Sequence, residues 1–107
     1  RAVRVDDRIL VSGTTATHGD RPVGGDDAAA QACHALDKIQ GAIESLGGTL
    51  AQVVRTRIFV KRIEDWEAVA RVHGARFGAV RPANTLVRAD LIGDAYLVEI
   101  EAEAVVR

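Results

Sequence analysis

Hydrophobic and polar residues alternate with a period of two over the last quarter of the chain. Between residues 81 and 107 this pattern predicts two strands joined by a turn, where Gly93 and Asp94 favour chain reversal. The two strands are therefore expected to pair as a hairpin. One face of the second strand carries Val98, Ile100, Ala102, Ala104 and Val106, and the other carries Leu97, Glu99, Glu101, Glu103 and Val105. Because side chains alternate across a strand, the first set predicts a core face, and the second suits a polar cleft, a subunit contact or solvent.

A long helix is predicted over residues 27–46, where apolar residues recur at steps of three and four. Asp26 or Asp27 is expected to cap its start, and Gly47 with Gly48 to end it, because glycine adopts the left-handed conformation at little cost. The stripe expected to face the core comprises Ala29, Ala32, Leu36, Ile39, Ile43 and Leu46.

A strand and a second helix are predicted in the middle of the chain. The strand covers residues 53–60, with Val54, Thr56, Ile58 and Val60 on one face and Arg55, Arg57 and Phe59 on the other. The helix covers residues 64 to 77, and Gly78 with Pro82 closes it. Its apolar side comprises Trp66, Val69, Ala70, His73 and Phe77.

The first part of the chain predicts a hairpin followed by a loop. Residues 2–5 and 8–12 are short β-prone runs separated by a turn-favouring pair of aspartates. Residues 14–27 lack a periodic apolar pattern, and their glycines do not have the spacing of a phosphate-binding loop. The predicted order is ββαβαββ, which favours an α+β architecture: a single sheet with both helices on one face.

Composition predicts one domain, residues 1–107, because a chain of this length builds a single core. The net charge of −1 provides no field that would draw nucleic acid or an anionic membrane, so neither partner is expected. Cys33 is the only cysteine, which excludes an internal disulfide and fits the reducing cytoplasm. The sequence contains neither an apolar run of about eighteen residues nor a signal-peptide pattern.

Metal and nucleophilic chemistry find little support in the sequence, and no cofactor is expected. His18, His34 and His73 are too scattered for a metal site. His73 is expected in a core or half-buried position, with a role in a cleft as the alternative. Cys33 lies beside the core stripe of the first helix and is expected to be a small buried residue rather than a nucleophile.

Several motifs together resemble the RidA/YjgF family of reactive-intermediate (enamine/imine) deaminases. They are ILVSG at residues 9–13, VVRTRIFV at residues 53–60, RPANT at residues 81–85 and VEIEA at residues 98–102. The resemblance covers nearly the whole chain. It implies a chorismate mutase-like fold and a homotrimer whose clefts between subunits bind a small-molecule ligand.

The resemblance also implies a set of site residues. Deaminating members have an arginine after the Pro-Ala pair that clamps the substrate carboxylate, and this chain has Asn84 there. Glu99 matches the acidic residue expected to position the attacking water, and Ser12 and Gly13 match a rim that contacts the ligand. Leu86 is also expected to contact it. Arg81 lies in the approach to this strand and is either a surface loop arginine or a replacement for the missing arginine. An asparagine of the second helix falls near Ala70 here, and a ligand-stacking tyrosine would lie upstream of Arg1.

The uncovered face of the sheet allows two interpretations. It is either a solvated surface with cross-strand Arg–Glu pairs or a surface buried by self-association. Glu99 is accordingly either a catalytic carboxylate or the partner of Arg55 or Arg57. The function is either hydrolysis of a small enamine, imine or related compound at a trimer cleft, or binding of a metabolite or partner without turnover. A ribonuclease ranks third, because no basic track accompanies the carboxylates.

Overall fold

The computed structural model describes residues 1–107 as one mixed five-stranded sheet, a small two-stranded ribbon and two α-helices. The elements are β1 (Ala2–Val5), β2 (Arg8–Thr14), β3 (Thr17–His18), β4 (Arg21–Pro22), α1 (Ala28–Ser45), β5 (Val53–Val60), α2 (Trp66–Phe77), β6 (Ala83–Arg88) and β7 (Val98–Val105). The main sheet has the spatial order β1-β2-β7-β5-β6, and β3 pairs with β4. Neither α-helix combines the length and the apolar composition that a membrane-spanning helix needs.

Helix α1 begins and ends where its capping residues predict. The Asp27 carboxylate accepts a hydrogen bond from the backbone N–H of Ala30 at 3.1 Å. At the other end Gly47 has φ 90°, and the Gly48 N–H donates to the carbonyl of Ile43 at 3.0 Å. These bonds satisfy backbone groups that a helix end otherwise leaves without partners.

The core lies between the two helices and one face of the sheet. Helix α1 packs on α2, β2 and β7, and Val69 and Phe77 bring α2 into the same cluster. The predicted core face of β7 is confirmed, because Val98, Ile100, Ala102 and Ala104 are all buried. The predicted mixed fold with two helices packed on a sheet is therefore confirmed.

The predicted hairpin between the last two strands is wrong. Strand β6 pairs in parallel with β5, while β7 pairs antiparallel with β5 on its other side, so β5 separates them. The intervening loop passes the end of β5, where Ala89 N–H bonds the Val60 carbonyl and Lys61 N–H bonds the Leu97 carbonyl. Helix α2 supplies the crossover that parallel pairing of β5 and β6 requires.

At the start of β5, Val53 is buried in place of Val54. The register against β7 shifts between Val53 and Arg55, which is an irregularity of the β-bulge type. Val53 is consequently buried, whereas Val54, predicted on the core face, is 37% exposed. Strict alternation holds only beyond this bulge, from Thr56 onward.

Other predictions of burial also need correction. Leu97, assigned to the open face of β7, precedes the strand and joins the core with 6% exposure. Trp66, predicted on the apolar side of the second helix, is the first residue of α2 and is 47% exposed. Cys33 lies on the side of α1 next to Arg76 of α2 and is exposed rather than buried. The segment predicted as loop contains the short strands β3 and β4, whose two residues each are too few to show alternation.

Candidate functional site

Glu99 is a half-buried carboxylate on the sheet face that the helices do not cover. Its neighbours on the same face are committed to ion pairs: Arg57 lies 2.8 Å from Glu101 and 3.7 Å from Glu103. No such contact or hydrogen bond involves Glu99 within the chain. The register explains the difference, because Glu99 lies opposite Phe59 whereas Glu101 lies opposite Arg57. The expectation that Glu99 pairs with an arginine of β5 is therefore wrong within a single chain.

A bulge in β2 brings Gly13 against Glu99. The ladder between β2 and β7 shifts between Val11 and Thr14, which leaves Ser12 and Gly13 outside the regular pairing. A Cβ atom added at Gly13 would overlap the Glu99 carboxylate. Only glycine therefore permits the carboxylate to lie in this position.

Ser12 is exposed, and both its hydrogen-bond donors are engaged. Its backbone N–H and its Oγ each donate to the Arg1 carbonyl at 2.8 Å. A hollow of about 350 Å³ on the same sheet face is lined by Arg1, Ala2, Val3, Leu10, Val11, Ser12, Arg55, Arg57, Glu101, Ala102 and Glu103. Ser12 thus connects this hollow to the bulge beside Glu99.

Asn84 lies on the opposite face of the sheet, toward the helices. Its Nδ2 atom donates to Thr56 Oγ1 at 2.9 Å and approaches the Thr56 carbonyl oxygen at 3.5 Å. Thr56 Oγ1 in turn lies 2.8 Å from His73 Nε2 on α2. Because Thr56 is fully buried and Glu99 projects from the other face, Asn84 and Glu99 do not share a site within one chain.

The Thr56–His73 contact links β5 to α2 in a half-buried position. The His73 ring packs on Phe77 with 4.6 Å between ring centroids. Burial lowers the pKa of His73 below its usual 6.5, since a charged imidazole loses hydration there. The half-buried position predicted for His73 is confirmed. Thr56 was not anticipated, although a threonine among valines and isoleucines on a predicted core face indicates a buried hydroxyl that needs a partner.

Leu86 and Arg81 flank Asn84 on either side. Leu86 lies opposite Ile58 in the parallel ladder and packs against the core, on the same face as Asn84. Arg81 is exposed, and its backbone has the left-handed conformation, with φ 51°. It follows a 3-10 turn that comes after α2. It lines a second hollow of about 380 Å³ together with Ala51, Gln52, Val53, Val54, Val80, Pro82, Val105 and Arg107.

Metal-ligating side chains do not cluster in this fold. No group of three or more histidine, cysteine, aspartate or glutamate side chains is placed to hold a metal ion. His18 and His34 approach each other with ring centroids 6.5 Å apart, and His34 Nε2 lies 3.3 Å from the Thr17 carbonyl.

The predicted site residues lie on two different faces of the sheet. Gly13 lies against Glu99 on one face, and Leu86 and Asn84 lie on the other.

Comparison with known proteins gives concordant matches over the whole chain. The sequence model of the family described as Endoribonuclease L-PSP matches residues 1–106. The uncharacterized protein SCO2049 of Streptomyces coelicolor is 39% identical over 105 residues, which are 97% of this chain and 78% of that protein.

Solved structures match the fold closely. Rv2704 from Mycobacterium tuberculosis, described as a member of the highly conserved YjgF/YER057c/UK114 family, is 46% identical with a TM-score of 0.89, and the match covers 99% of this chain and 85% of that one. The YjgF gene product of E. coli is 29% identical with a TM-score of 0.89, covering 99% of this chain and 86% of that one.

Proposed function

Because the chain belongs to the YjgF/YER057c/UK114 family, whose sequence model is described as Endoribonuclease L-PSP, we propose that it is a RidA-like cleft protein that hydrolyses a small imine, enamine or related metabolite. The resemblance to RidA/YjgF proteins predicted from the sequence is confirmed by this membership. Glu99 is the proposed catalytic residue, with Ser12 and Gly13 at the rim and Asn84, Leu86 and Arg81 as ligand contacts.

The observation that carries the proposal is the uncommitted carboxylate of Glu99. A general base needs a lone pair that is free to take a proton from water. Glu101 and Glu103 are engaged with Arg57, whereas Glu99 has no such partner and has room beside Gly13. A water positioned by Glu99 would attack the carbon of a C=N bond to give a carbinolamine, and the carboxylate would accept a proton from the water. Glu99 would then return this proton to nitrogen, which leaves as an amine or ammonia while the C–N bond breaks and the carbonyl group forms.

A cleft that uses both Glu99 and Asn84 requires more than one copy of the chain, because the two residues lie on opposite faces of the sheet. The proposal therefore includes the homotrimer implied by the sequence resemblance. The open face supports it, since half-buried Phe59 and Val105 lie there without helical cover. Sedimentation equilibrium should give three times the 11.4 kDa chain mass. A monomer at micromolar concentration would exclude the shared cleft.

Binding without turnover is the second candidate, and the bonding of Asn84 favours it. The amide that replaces the expected arginine carries no charge and already donates to Thr56. It therefore cannot hold a carboxylate as a guanidinium would. A ribonuclease is not proposed, because the net charge is −1 and Arg8 and Arg57 are paired with carboxylates. We also propose that the protein acts in the cytoplasm, and the proposed hydrolysis requires no metal or cofactor.

Glu99→Gln, with Glu101→Gln as a matched control, tests the catalytic proposal. Imines are generated in the assay by an amino-acid oxidase from a panel of amino acids and their amides, and hydrolysis is followed spectrophotometrically. Glu99→Gln should lower the rate by about 100-fold or more, a common contribution of a general base. It should leave the melting temperature unchanged, because no ion pair is lost.

Glu101→Gln removes the contact with Arg57 and should cost at most about 1 kcal/mol of stability, since the pair is partly exposed. Its hydrolysis rate should stay near that of the unmodified protein. Equal rates for the two variants would remove Glu99 from the chemistry. Binding of an imine analogue with no hydrolysis across the panel would instead favour the second candidate.

A further inference from the structure

The hydrogen bonds around Asn84 run in a single direction. Its NH2 group can only donate, and its Nδ2 atom lies 2.9 Å from the hydroxyl oxygen and 3.5 Å from the carbonyl oxygen of Thr56. The backbone carbonyl can only accept, which places the NH2 group rather than the amide oxygen on this side. Thr56 Oγ1 therefore accepts from Asn84. The only other group within hydrogen-bond distance of this buried hydroxyl is His73 Nε2, 2.8 Å away, so the hydroxyl proton is donated to His73.

This direction fixes the chemical state of His73. An Nε2 atom that accepts a proton donor carries no hydrogen, so the imidazole is neutral and its hydrogen lies on Nδ1. The lowered pKa of His73 agrees with a neutral ring. Thr56 and His73 thus act together as positioning residues that hold the Asn84 amide in one orientation.

With its NH2 group turned inward, Asn84 presents its oxygen outward from an exposed position at the edge strand. We propose that the Asn84 carbonyl oxygen makes this subsite an acceptor, which selects ligands that donate a hydrogen bond, such as a primary amide, an ammonium or an iminium group. A carboxylate would meet an oxygen lone pair instead of a donor. The inference rests on the proposed function, in which Asn84 faces the ligand.

The tautomer of His73 tests the orientation without any ligand. Imidazole nitrogen chemical shifts of the 15N-labelled protein distinguish a protonated from an unprotonated Nε2. We expect the hydrogen on Nδ1. A hydrogen on Nε2 would reverse the direction of these hydrogen bonds. Thr56 Oγ1 would then accept from His73, and its own proton would have only the Asn84 side chain as a partner, which requires the amide oxygen to face Thr56 and the NH2 group to face outward. That result would overturn the inference.

Ligand preference tests its consequence. Pyruvamide and pyruvate differ only in a primary amide against a carboxylate, and both are titrated by calorimetry. The unmodified protein should bind pyruvamide about tenfold more tightly, as expected for one added hydrogen bond and one removed lone-pair repulsion. Asn84→Arg should reverse the preference, because a guanidinium donates to carboxylates. Equal or tighter binding of pyruvate by the unmodified protein would contradict the acceptor subsite.

Variants of Thr56 test the positioning role. Thr56→Ser keeps the hydroxyl and should keep the preference for pyruvamide, whereas Thr56→Val frees the amide to rotate and should abolish the preference. Retained selectivity in Thr56→Val would refute positioning by Thr56. If Thr56→Val does not fold, the His73 tautomer still decides the orientation. Failure of both compounds to bind would contradict the proposed small-molecule cleft, while the tautomer continues to test the inference separately.

Discussion

Gln31 is a fully buried polar residue that fastens two loops to helix α1. Its Nε2 atom donates to the carbonyl oxygens of Gly25 and Ala95, both at 2.9 Å. Its Oε1 atom accepts from the backbone N–H of Leu97 at 2.8 Å. All the hydrogen-bonding capacity of the side chain except one lone pair is therefore used, and the chain just before Glu99 is held in place by this residue.

Gln31→Leu keeps the approximate volume of the side chain and removes all of these bonds. The Leu97 N–H is left buried without a partner, which costs about 1–3 kcal/mol. Gly25 and Ala95 are exposed, so water can reach their carbonyls and each adds less, about 0.5–1 kcal/mol. The free energy of unfolding should fall by about 3 kcal/mol, which lowers the melting temperature by roughly 12–20 °C in a domain of this size.

Gln40→Leu provides the matched control on the same helix. The Gln40 amide donates to Glu44 at 3.2 Å and accepts from Arg76 at 3.5 Å, in a half-buried position that water reaches. Its replacement should change stability by about 0.5 kcal/mol or less. Urea denaturation of both variants measures the difference. A loss below about 1 kcal/mol for Gln31→Leu, or equal losses for the two variants, would refute the role assigned to Gln31.

Further predictions concern single residues. Gly13→Ala should displace the Glu99 carboxylate and weaken ligand binding. Its stability loss should stay below about 1 kcal/mol, because the flexible Glu99 side chain can move. The control Gly41→Ala, which places a methyl group in open space on α1, should instead stabilise the protein by about 0.5–1 kcal/mol. The pKa of His73 in the folded protein is lowered from 6.5, so the unfolded state takes up a proton first as the pH falls. The contribution of His73 to stability is therefore full above pH 6.5 and is lost as the pH drops through the lowered pKa. Thermal melts should show a lower melting temperature at about pH 5.5 than at about pH 7.5, and His73→Gln should reduce this difference. Cys33 should react with a thiol reagent in the folded protein, and protection of this thiol would contradict its exposure.

Local features of the sequence were sufficient to predict the helices and the core face of β7. The Asp27 cap, the paired glycines after α1 and the alternation from Val98 onward each depend on residues close together in the chain. Strand pairing depends on distant residues, and a glycine-containing turn near Gly93 fits a hairpin as well as a loop that passes another strand. The sequence therefore could not distinguish β7 beside β6 from β7 beside β5.

The candidate site shows the same division. The assignment of Glu99 to the open face followed from alternation, but the register that places it opposite Phe59 rather than an arginine could not be predicted. Thr56 is a polar residue on a predicted apolar face, whereas Gln31 lies outside the apolar stripe predicted for α1. Neither could be predicted as a hydrogen-bonding residue, because the partners of each come from distant loops or strands. A periodic pattern does not reveal the partners of such buried polar residues, whereas the hydrogen bonds of the folded structure do.

The bonding of Asn84 shows why a residue type at a matched position does not by itself define a subsite. An asparagine carries both a donor and an acceptor, and the chemistry it offers a ligand depends on which of them the protein uses. Here the donor is directed at Thr56, and Thr56 is oriented by a histidine from another element. In the proposed subsite, an asparagine in place of an arginine therefore changes more than the charge, because it exchanges a donor for an acceptor. Substitution of Thr56 or His73 would then alter the chemistry of the subsite without changing any residue that contacts the ligand.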